Sequence, residues 1–271
     1  MPPSTEPPGM ERRLARLSWT TVREQAARPG STVLWPLGAI EQHGPLLPLG
    51  TDALFAERVA AAVLERLAPE LPLWRLPVQS LGFSPEHLGF PGTLSLPARL
   101  LIDLVCAVGR GIAAAGFQRL VLFNAHGGQI GLLEAAAREL RVREPALAVL
   151  PCFLWRGVDG LAALIPERER SDGLHAGLAE TSLMLFLEPA TAGPLPAADG
   201  PAPPQTPPAG WSLEGACPSS WLTREISASG VIGDPAGSSM ELGRQLFDRL
   251  VESWVQRLEA LMRSDWPPTS G

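Results

Sequence analysis

The 271-residue chain contains only four histidines, and each lies in a polar, glycine-containing segment. His43 and His126 each follow a short apolar run that is typical of a buried strand. In an open parallel sheet, ligands bind where the carboxyl ends of the strands meet. We therefore expect these two histidines to converge at that edge of a sheet, where imidazoles can bind a metal.

Acidic side chains lie close to the first of these histidines. If segment 38–44 is extended, Glu41 and His43 point to the same side, because side chains alternate along a strand. A carboxylate beside an imidazole suits a divalent metal ion. The alternative for this pair is a polar loop without a ligand. Asp52 precedes a predicted helix, so it either caps that helix or bridges two metal ions with its two oxygens.

Two further segments suggest substrate binding and proton transfer. Gly127 and Gly128 have no side chains to block a ligand, and the helix after them could stabilise a developing anion. A tight turn after His126 is the alternative. His175 could carry a proton, because imidazole as a group titrates near neutral pH. Glu180 could be a metal ligand or a base, or an acid that the first turn of a helix favours.

The segment from Ser84 to His87 precedes a predicted turn at 90–93. We assign both of these residues to substrate binding. Exposure or ordinary packing is the alternative for the histidine.

Composition excludes several classes of function. The chain has no lysine and no tyrosine, which excludes a Schiff-base lysine, a P-loop and a catalytic phenol. A net charge of -6 without a basic run argues against nucleic acid as a partner. Three dispersed cysteines predict reduced thiols in a cytoplasmic protein. No apolar leader and no long apolar run is present, so we expect no signal peptide and no membrane span.

Short apolar runs alternate with longer amphipathic ones, a pattern typical of βαβ units and a mostly parallel sheet. Predicted strands cover 33–37, 73–78, 120–123 and 146–153, and predicted helices cover 54–67, 97–115, 130–143, 179–186 and 240–263. We expect one domain over 12–265, with a disordered tail at 1–11. The proline-rich stretch 189–210 is expected to form an extended surface segment.

Six segments together resemble the creatininase (creatinine amidohydrolase) family. They read LWPLGAIEQHGPLLP (34–48), GTD (50–52), GFSPEHLGFPGTLSL (82–96), VLFNAHGGQ (121–129), HAGLAETSLML (175–185) and GVIGDPAG (230–237). The resemblance implies a three-layer αβα fold with a mostly parallel sheet. It also implies a binuclear metal site at the carboxyl end of that sheet, with two divalent ions per chain, such as zinc, manganese or iron.

The resemblance also assigns roles to individual residues. Glu41 and His126 correspond to ligands of one metal, His43 to a ligand of the other and Asp52 to the bridge. His175 corresponds to the residue that handles the proton at the leaving nitrogen. In creatininase itself, a glutamate two residues after the histidine that corresponds to His126 completes the second metal site. That position is Gly128 here, and Glu180 is the alternative ligand.

The function implied is hydrolysis of a non-peptide C–N amide bond, in a formamide or a cyclic amide, by a hydroxide that the metal activates. Two alternatives stay open. One is a peptidase that acts on a modified peptide, as in mycofactocin maturation, and the other is a non-catalytic metal-binding member. The family also implies a small-molecule amide as partner and a homo-oligomer, commonly a hexamer.

Overall fold

A four-stranded sheet forms the centre of the molecule. The structure, a computed structural model, describes residues 11–190 and 207–267. The strands are β1 (Thr32–Leu37), β2 (Leu73–Arg75), β3 (Arg119–Asn124) and β4 (Ala148–Phe153). All neighbouring pairs are parallel, in the order β2-β1-β3-β4. The predicted parallel α/β sheet is therefore confirmed.

Nine α-helices surround this sheet within the described residues. They are α1 (Trp19–Ala26), α2 (Thr51–Arg66), α3 (Ala98–Ala114), α4 (Ile130–Arg143), α5 (Leu161–Leu164), α6 (Glu167–Asp172), α7 (Leu178–Leu187), α8 (Thr223–Ile226) and α9 (Met240–Arg263). Short 3₁₀ turns cover Leu14–Arg16, Pro85–His87 and Gly127–Gln129. The last two of these turns lie beside the site described below.

The two central strands are buried on both faces, which makes each of them apolar along most of its length. Because side chains alternate, Leu34 and Phe123 pack on one face with residues of α2, α7 and α9. Val33 and Leu122 pack on the other face with residues of α3 and α4. These two cores on either side of one sheet give the three-layer αβα arrangement.

The position of the central strands determines where the site forms. β1 and β3 are paired in register along their whole length, so that Leu37 and Asn124 lie side by side at their carboxyl ends. The chain leaves both strands at the same edge of the sheet. The loop after β1 and the turn after β3 are therefore neighbours, as the sequence predicted.

Two boundaries differ from the prediction in ways that matter. Helix α2 begins at Thr51, with Gly50 as its N-cap, so that Asp52 lies in the first turn and does not cap the helix. Strand β2 ends at Arg75, three residues before the predicted end, although the amide of Leu76 still donates to the carbonyl of Leu34. Helix α1 was not predicted, although the Ser18 hydroxyl caps it by accepting from the amide of Thr21.

Two of the predicted segments lie mostly outside the described residues. The predicted tail 1–11 and the proline-rich segment 189–210 lie outside the described residues, except for 11, 189–190 and 207–210. In the part of the chain that the structure describes, no helix combines the length and hydropathy that a bilayer span requires.

Candidate metal centre

Three segments bring carboxylates and imidazoles together at the carboxyl edge of the sheet. Glu41 and His43 lie in the loop that follows β1, and His126 is the second residue after β3. Asp52 enters from the first turn of α2. Gly38 permits this approach, because a Cβ at position 38 would collide with the backbone of α2. The four residues predicted to bind metal in the loop after β1, the first turn of α2 and the turn after β3 therefore meet.

Asp52 lies between two imidazoles and directs one oxygen at each. Its Oδ2 is 3.2 Å from His126 Nδ1, and its Oδ1 is 3.4 Å from His43 Nε2. Glu41 Oε2 also lies 3.2 Å from His126 Nδ1. All four residues are 2% exposed or less. This arrangement provides one group of ligand atoms around His126 and a second around His43, joined by a single carboxylate.

Several of these ligand atoms are buried without a hydrogen-bond partner among the described residues. They are both carboxylate oxygens of Glu41, Oδ2 of Asp52 and Nε2 of His43. Burying polar atoms without partners costs free energy, and buried charges are normally paired or bound to metal. One ligand atom from each of Glu41, His43 and Asp52 lies within 4.8 Å of the others, so the chemistry of the donor set fits a divalent cation.

The pKa values of these residues show how strongly the buried carboxylates and imidazoles depend on one another's charge. Burial would raise the pKa of Glu41, but the charge of His126 outweighs it and lowers that pKa to about 2. Burial likewise opposes ionisation of Asp52, yet His43 and His126 hold its pKa well below the usual range. Burial would lower the pKa of His43, whereas Asp52 raises it to about 9. Without metal, the imidazoles must therefore supply the positive charge that the carboxylates need.

His175, His87 and Glu180 form the next layer around Glu41. The Nδ1 atom of His175 lies 3.7 Å from Glu41 Oε1, and Nε2 of His87 lies 3.5 Å from the same oxygen. Burial lowers the pKa of His87 to about 4 and that of His175 well below its ordinary value. Glu180 accepts a hydrogen bond from the amide of Ala176, and burial raises its pKa to about 7.

The structure distinguishes between the two residues that the sequence assigned to substrate binding before the 90–93 turn. His87 is buried and lines the cavity, so the exposed alternative does not hold. Ser84 is fully buried behind His126, with its Oγ 3.2 Å from His126 Nε2, and it does not line the cavity. A direct substrate contact by Ser84 therefore stays a prediction that this geometry does not support.

Glu86 is a site residue that the sequence analysis did not assign. Its Oε1 is 3.8 Å from His126 Nε2 and 4.0 Å from His87 Nε2, and it lines the same cavity. Burial raises its pKa. A Cβ at Gly128 would collide with this carboxylate. Two features of the sequence could have indicated this residue. Glu86 directly precedes His87, and position 128, where a side chain would collide with the Glu86 carboxylate, is a glycine.

Gln42 and Thr223 are two further residues near the site that were not predicted from the sequence. Both are buried, and both contact Nδ1 of His87, at 2.8 Å from Gln42 Nε2 and 2.7 Å from Thr223 Oγ1. Gln42 had a signal, because alternation directs it away from Glu41 and His43. Thr223 had none, since it lies more than 130 residues from its partner.

A cavity of about 460 Å³ opens onto these groups. Its floor contains metal-ligand candidates, and Gly127, Gly128 and Glu180 also line it. A substrate contact by the two glycines and a metal-ligand role for Glu180 remain predictions. Its other walls carry aromatic and charged side chains: Trp155, Trp221, Arg156, Arg170, Glu169 and Glu214. Four sets of three residues could hold a cation among the described residues: Glu41, His43 and Asp52; Glu41, Glu86 and His126; Glu41, His87 and His175; and His43, His175 and Glu180.

A parallel αβα sheet with buried carboxylates and imidazoles beside a cavity is the arrangement of a metal-dependent hydrolase. Comparison with known proteins identifies the family. The Creatininase family model, described as creatinine amidohydrolase, matches residues 15–258. The chain therefore belongs to the creatininase family, whose members are hydrolases, as the six motifs predicted.

Individual relatives carry different names. A mycofactocin precursor peptide peptidase of Mycobacterium tuberculosis is 33% identical over 245 residues, which cover 85% of this chain and 86% of that protein. The creatinine amidohydrolase of Pseudomonas putida is 32% identical over 188 residues, which cover 65% of this chain and 72% of that protein. A manganese form of creatininase has a TM-score of 0.73 at 24% identity, covering 94% of this chain and 100% of that structure. This structural likeness shows the fold.

Proposed function

We propose that this chain hydrolyses an amide C–N bond with two divalent metal ions held by Glu41, His43, Asp52 and His126. The observation that carries the proposal is the set of four buried, unpartnered ligand atoms on three of these residues. A role that involved no cation would leave these four buried polar atoms unpaired, and burying unpaired polar atoms costs free energy.

The ligand atoms divide into two groups. Glu41 Oε2, Asp52 Oδ2 and His126 Nδ1 would hold one ion, and Asp52 Oδ1 and His43 Nε2 would hold the other. Glu180 could complete the second group, since it forms a candidate set with His43 and His175. Divalent ions at these positions would activate water near neutral pH and polarise an amide carbonyl.

His175 is the residue that can move a proton. Its Nε2 lies 2.6 Å from the carbonyl oxygen of Gln42 and donates to it, so that Nδ1 carries no proton in the neutral ring. This free nitrogen faces Glu41 Oε1 in the cavity. It can take a proton from the attacking water and give it to the leaving nitrogen.

The substrate is better described as a peptide amide than as a small cyclic amide. The peptidase relative matches 85% of the chain, whereas the creatinine amidohydrolase matches 65%. The cavity also carries two tryptophans and charges of both signs on its walls, which suit a larger polar substrate. Formamides and cyclic amides remain the alternative class.

The experiment compares both substrate classes on one preparation. The chain is stripped with a chelator, reloaded with Mn²⁺ or Zn²⁺, and incubated with a mycofactocin precursor peptide before and after its modification. Creatinine and a simple formamide are tested in parallel, and products are identified by mass spectrometry. We expect metal-dependent cleavage of the peptide and two ions per chain by elemental analysis. One ion per chain and no cleavage of any amide would instead favour the non-catalytic alternative.

Two further expectations remain predictions. A homo-oligomer, commonly a hexamer in this family, is checked by light scattering. A cytoplasmic location is checked by fractionation of cells that produce the chain.

A further inference from the structure

The side-chain amide of Gln42 has only one orientation that satisfies its neighbours. Its Oε1 accepts a hydrogen bond from the amide of Gly44 at 2.9 Å, and its Nε2 donates to the carbonyl of Gly230 at 3.1 Å. Reversing the amide would place two donors together at one end and two acceptors together at the other. The nitrogen of this amide therefore faces His87.

This orientation determines the tautomer of His87. Gln42 Nε2 can only donate, and it lies 2.8 Å from His87 Nδ1, so that ring nitrogen must be an acceptor. The hydroxyl of Thr223, at 2.7 Å, donates to the same nitrogen. In the neutral ring the proton is consequently on Nε2, and Nε2 is the nitrogen that faces the cavity.

In the other three histidines, the nitrogen that faces the site is the unprotonated one when the ring is neutral. A backbone carbonyl lies next to one nitrogen of each ring: that of Glu41 next to Nδ1 of His43, that of Phe83 next to Nε2 of His126, and that of Gln42 next to Nε2 of His175. In the neutral ring, the form that binds a metal ion, each of these nitrogens donates to its carbonyl, and the nitrogen facing the site then carries no proton. Three imidazoles thus present lone pairs to the centre, and His87 alone among the four presents an N–H.

We infer that the Nε2–H of His87 is a fixed hydrogen-bond donor to the carbonyl oxygen of the scissile amide, and that it stabilises the oxyanion as water adds. This inference rests on the proposed function. The donor lies 3.5 Å from Glu41 Oε1 and 4.0 Å from Glu86 Oε1, in the wall of the cavity beside the metal ligands. A donor held in place before the reaction costs no reorganisation when negative charge develops.

The protonation of Nε2 argues against His87 as a metal ligand, although it forms a candidate set with Glu41 and His175. A ligand nitrogen needs a free lone pair, and this one is protonated because of the contacts on the far side of the ring. The surrounding structure maintains those contacts. Gly230 adopts a φ of +92°, and a Cβ at that position would collide with the Gln42 amide.

The first test reads the tautomer directly. With ¹⁵N-labelled histidine, the zinc-loaded chain gives signals from only four rings, and single His→Gln variants assign them. We expect the His87 ring to carry its proton on Nε2. A proton on Nδ1 would overturn the inference.

The second test uses variants of His87 and normalises the rate to bound metal. Leucine removes the donor, and we expect His87→Leu to lower kcat by about 100-fold, the loss typical of one oxyanion donor, with KM nearly unchanged. Glutamine keeps an N–H of similar reach, and His87→Gln should recover part of the rate. Elemental analysis should find the metal content of both variants equal to that of the wild type.

A third variant changes the tautomer and leaves His87 in place. In Gln42→Glu, the carboxylate can only accept a hydrogen bond, so it should favour the tautomer in which His87 Nδ1 carries the proton and Nε2 does not. We expect a lower kcat together with the altered ¹⁵N pattern. An altered pattern with an unchanged kcat would contradict the assigned role.

The outcomes distinguish a failure of the proposed function from a failure of the inference about His87. If the wild type cleaves none of the amides named above, the proposed function fails. If the wild type is active and His87→Leu is equally active per bound metal, only the inference about His87 fails. Loss of metal from His87→Leu with normal turnover per remaining metal would make His87 a support for Glu41 instead.

Discussion

Gly128 and Glu86 share one small volume at the wall of the metal centre, because a Cβ on the glycine would collide with the Glu86 carboxylate. The carboxylate lies 3.8 Å from Nε2 of His126. The space that a longer side chain at 128 would fill is therefore taken by a glutamate from a different loop. A carboxylate beside a metal ligand can orient that ligand and tune its basicity.

Gly128→Ala should displace the Glu86 carboxylate, which ends a flexible side chain and can move. We expect hydrolysis per bound metal to fall by about tenfold, the lower end for loss of an outer partner of a ligand. Glu86→Ala should cause a similar loss. The double variant should lose more than Glu86→Ala alone, because a Cβ at position 128 would still lie 2.8 Å from His126 Nε2. Gly131→Ala is the matched control, since a Cβ there has no neighbour within 4 Å among the described residues and the residue does not line the cavity. Equal rates for Gly128→Ala and wild type would refute the shared volume.

Asp52→Asn should remove more metal than any other single substitution in the centre. Asp52 directs one oxygen at each imidazole group, so weakening it affects both ions. His43→Ala should affect only the ion on its side, and Glu41→Ala or His126→Ala only the other. Elemental analysis after dialysis measures the retained metal, with exposed Glu139→Gln as the control. Full retention of metal in both Glu41→Ala and His126→Ala would remove the proposed centre.

The metal-free protein should lose stability as the solution becomes alkaline. The pKa of His43 is raised from 6.5 to about 9, because burial is outweighed by Asp52. The stabilisation from this cation is fully present below pH 6.5 and disappears as the pH rises through 9. Tm of chelator-treated protein should therefore fall between pH 6.5 and 9.

Metal-loaded protein provides the comparison for that titration. Bound divalent ions replace the imidazolium charges, so its Tm should change much less over the same interval. Parallel curves for the two preparations would contradict this account of the charge balance.

Packing of α9 against α7 can be tested at Gly243. A Cβ there would collide with the backbone carbonyl of Ser182, which cannot move without shifting α7 and, with it, Glu180. Gly243→Ala should therefore destabilise the chain by about 1–3 kcal/mol in urea unfolding, despite the better helix propensity of alanine. Gly131→Ala in α4 meets no atom within 4 Å and should stabilise by about 0.5–1 kcal/mol. Similar values for both variants would show that the helix packing is looser than described.

The sequence alone determined the class of fold and most of the site. Alternation of apolar runs predicted a parallel sheet, and the segments after β1 and β3 had to meet because parallel strands end at one edge. Helix α4 and helix α9 begin and end where their patterns predicted. These features follow from local periodicity, which a sequence records directly.

The tertiary structure decided which atoms of those residues face the centre. Backbone carbonyls and the Gln42 amide, rather than the motifs, select the nitrogen that each histidine presents. Ser84 lies behind His126, and Glu86 fills the space beside Gly128, because of contacts between loops about 40 residues apart in the chain. Such contacts depend on packing across the fold, and the periodicity of a sequence contains no record of them.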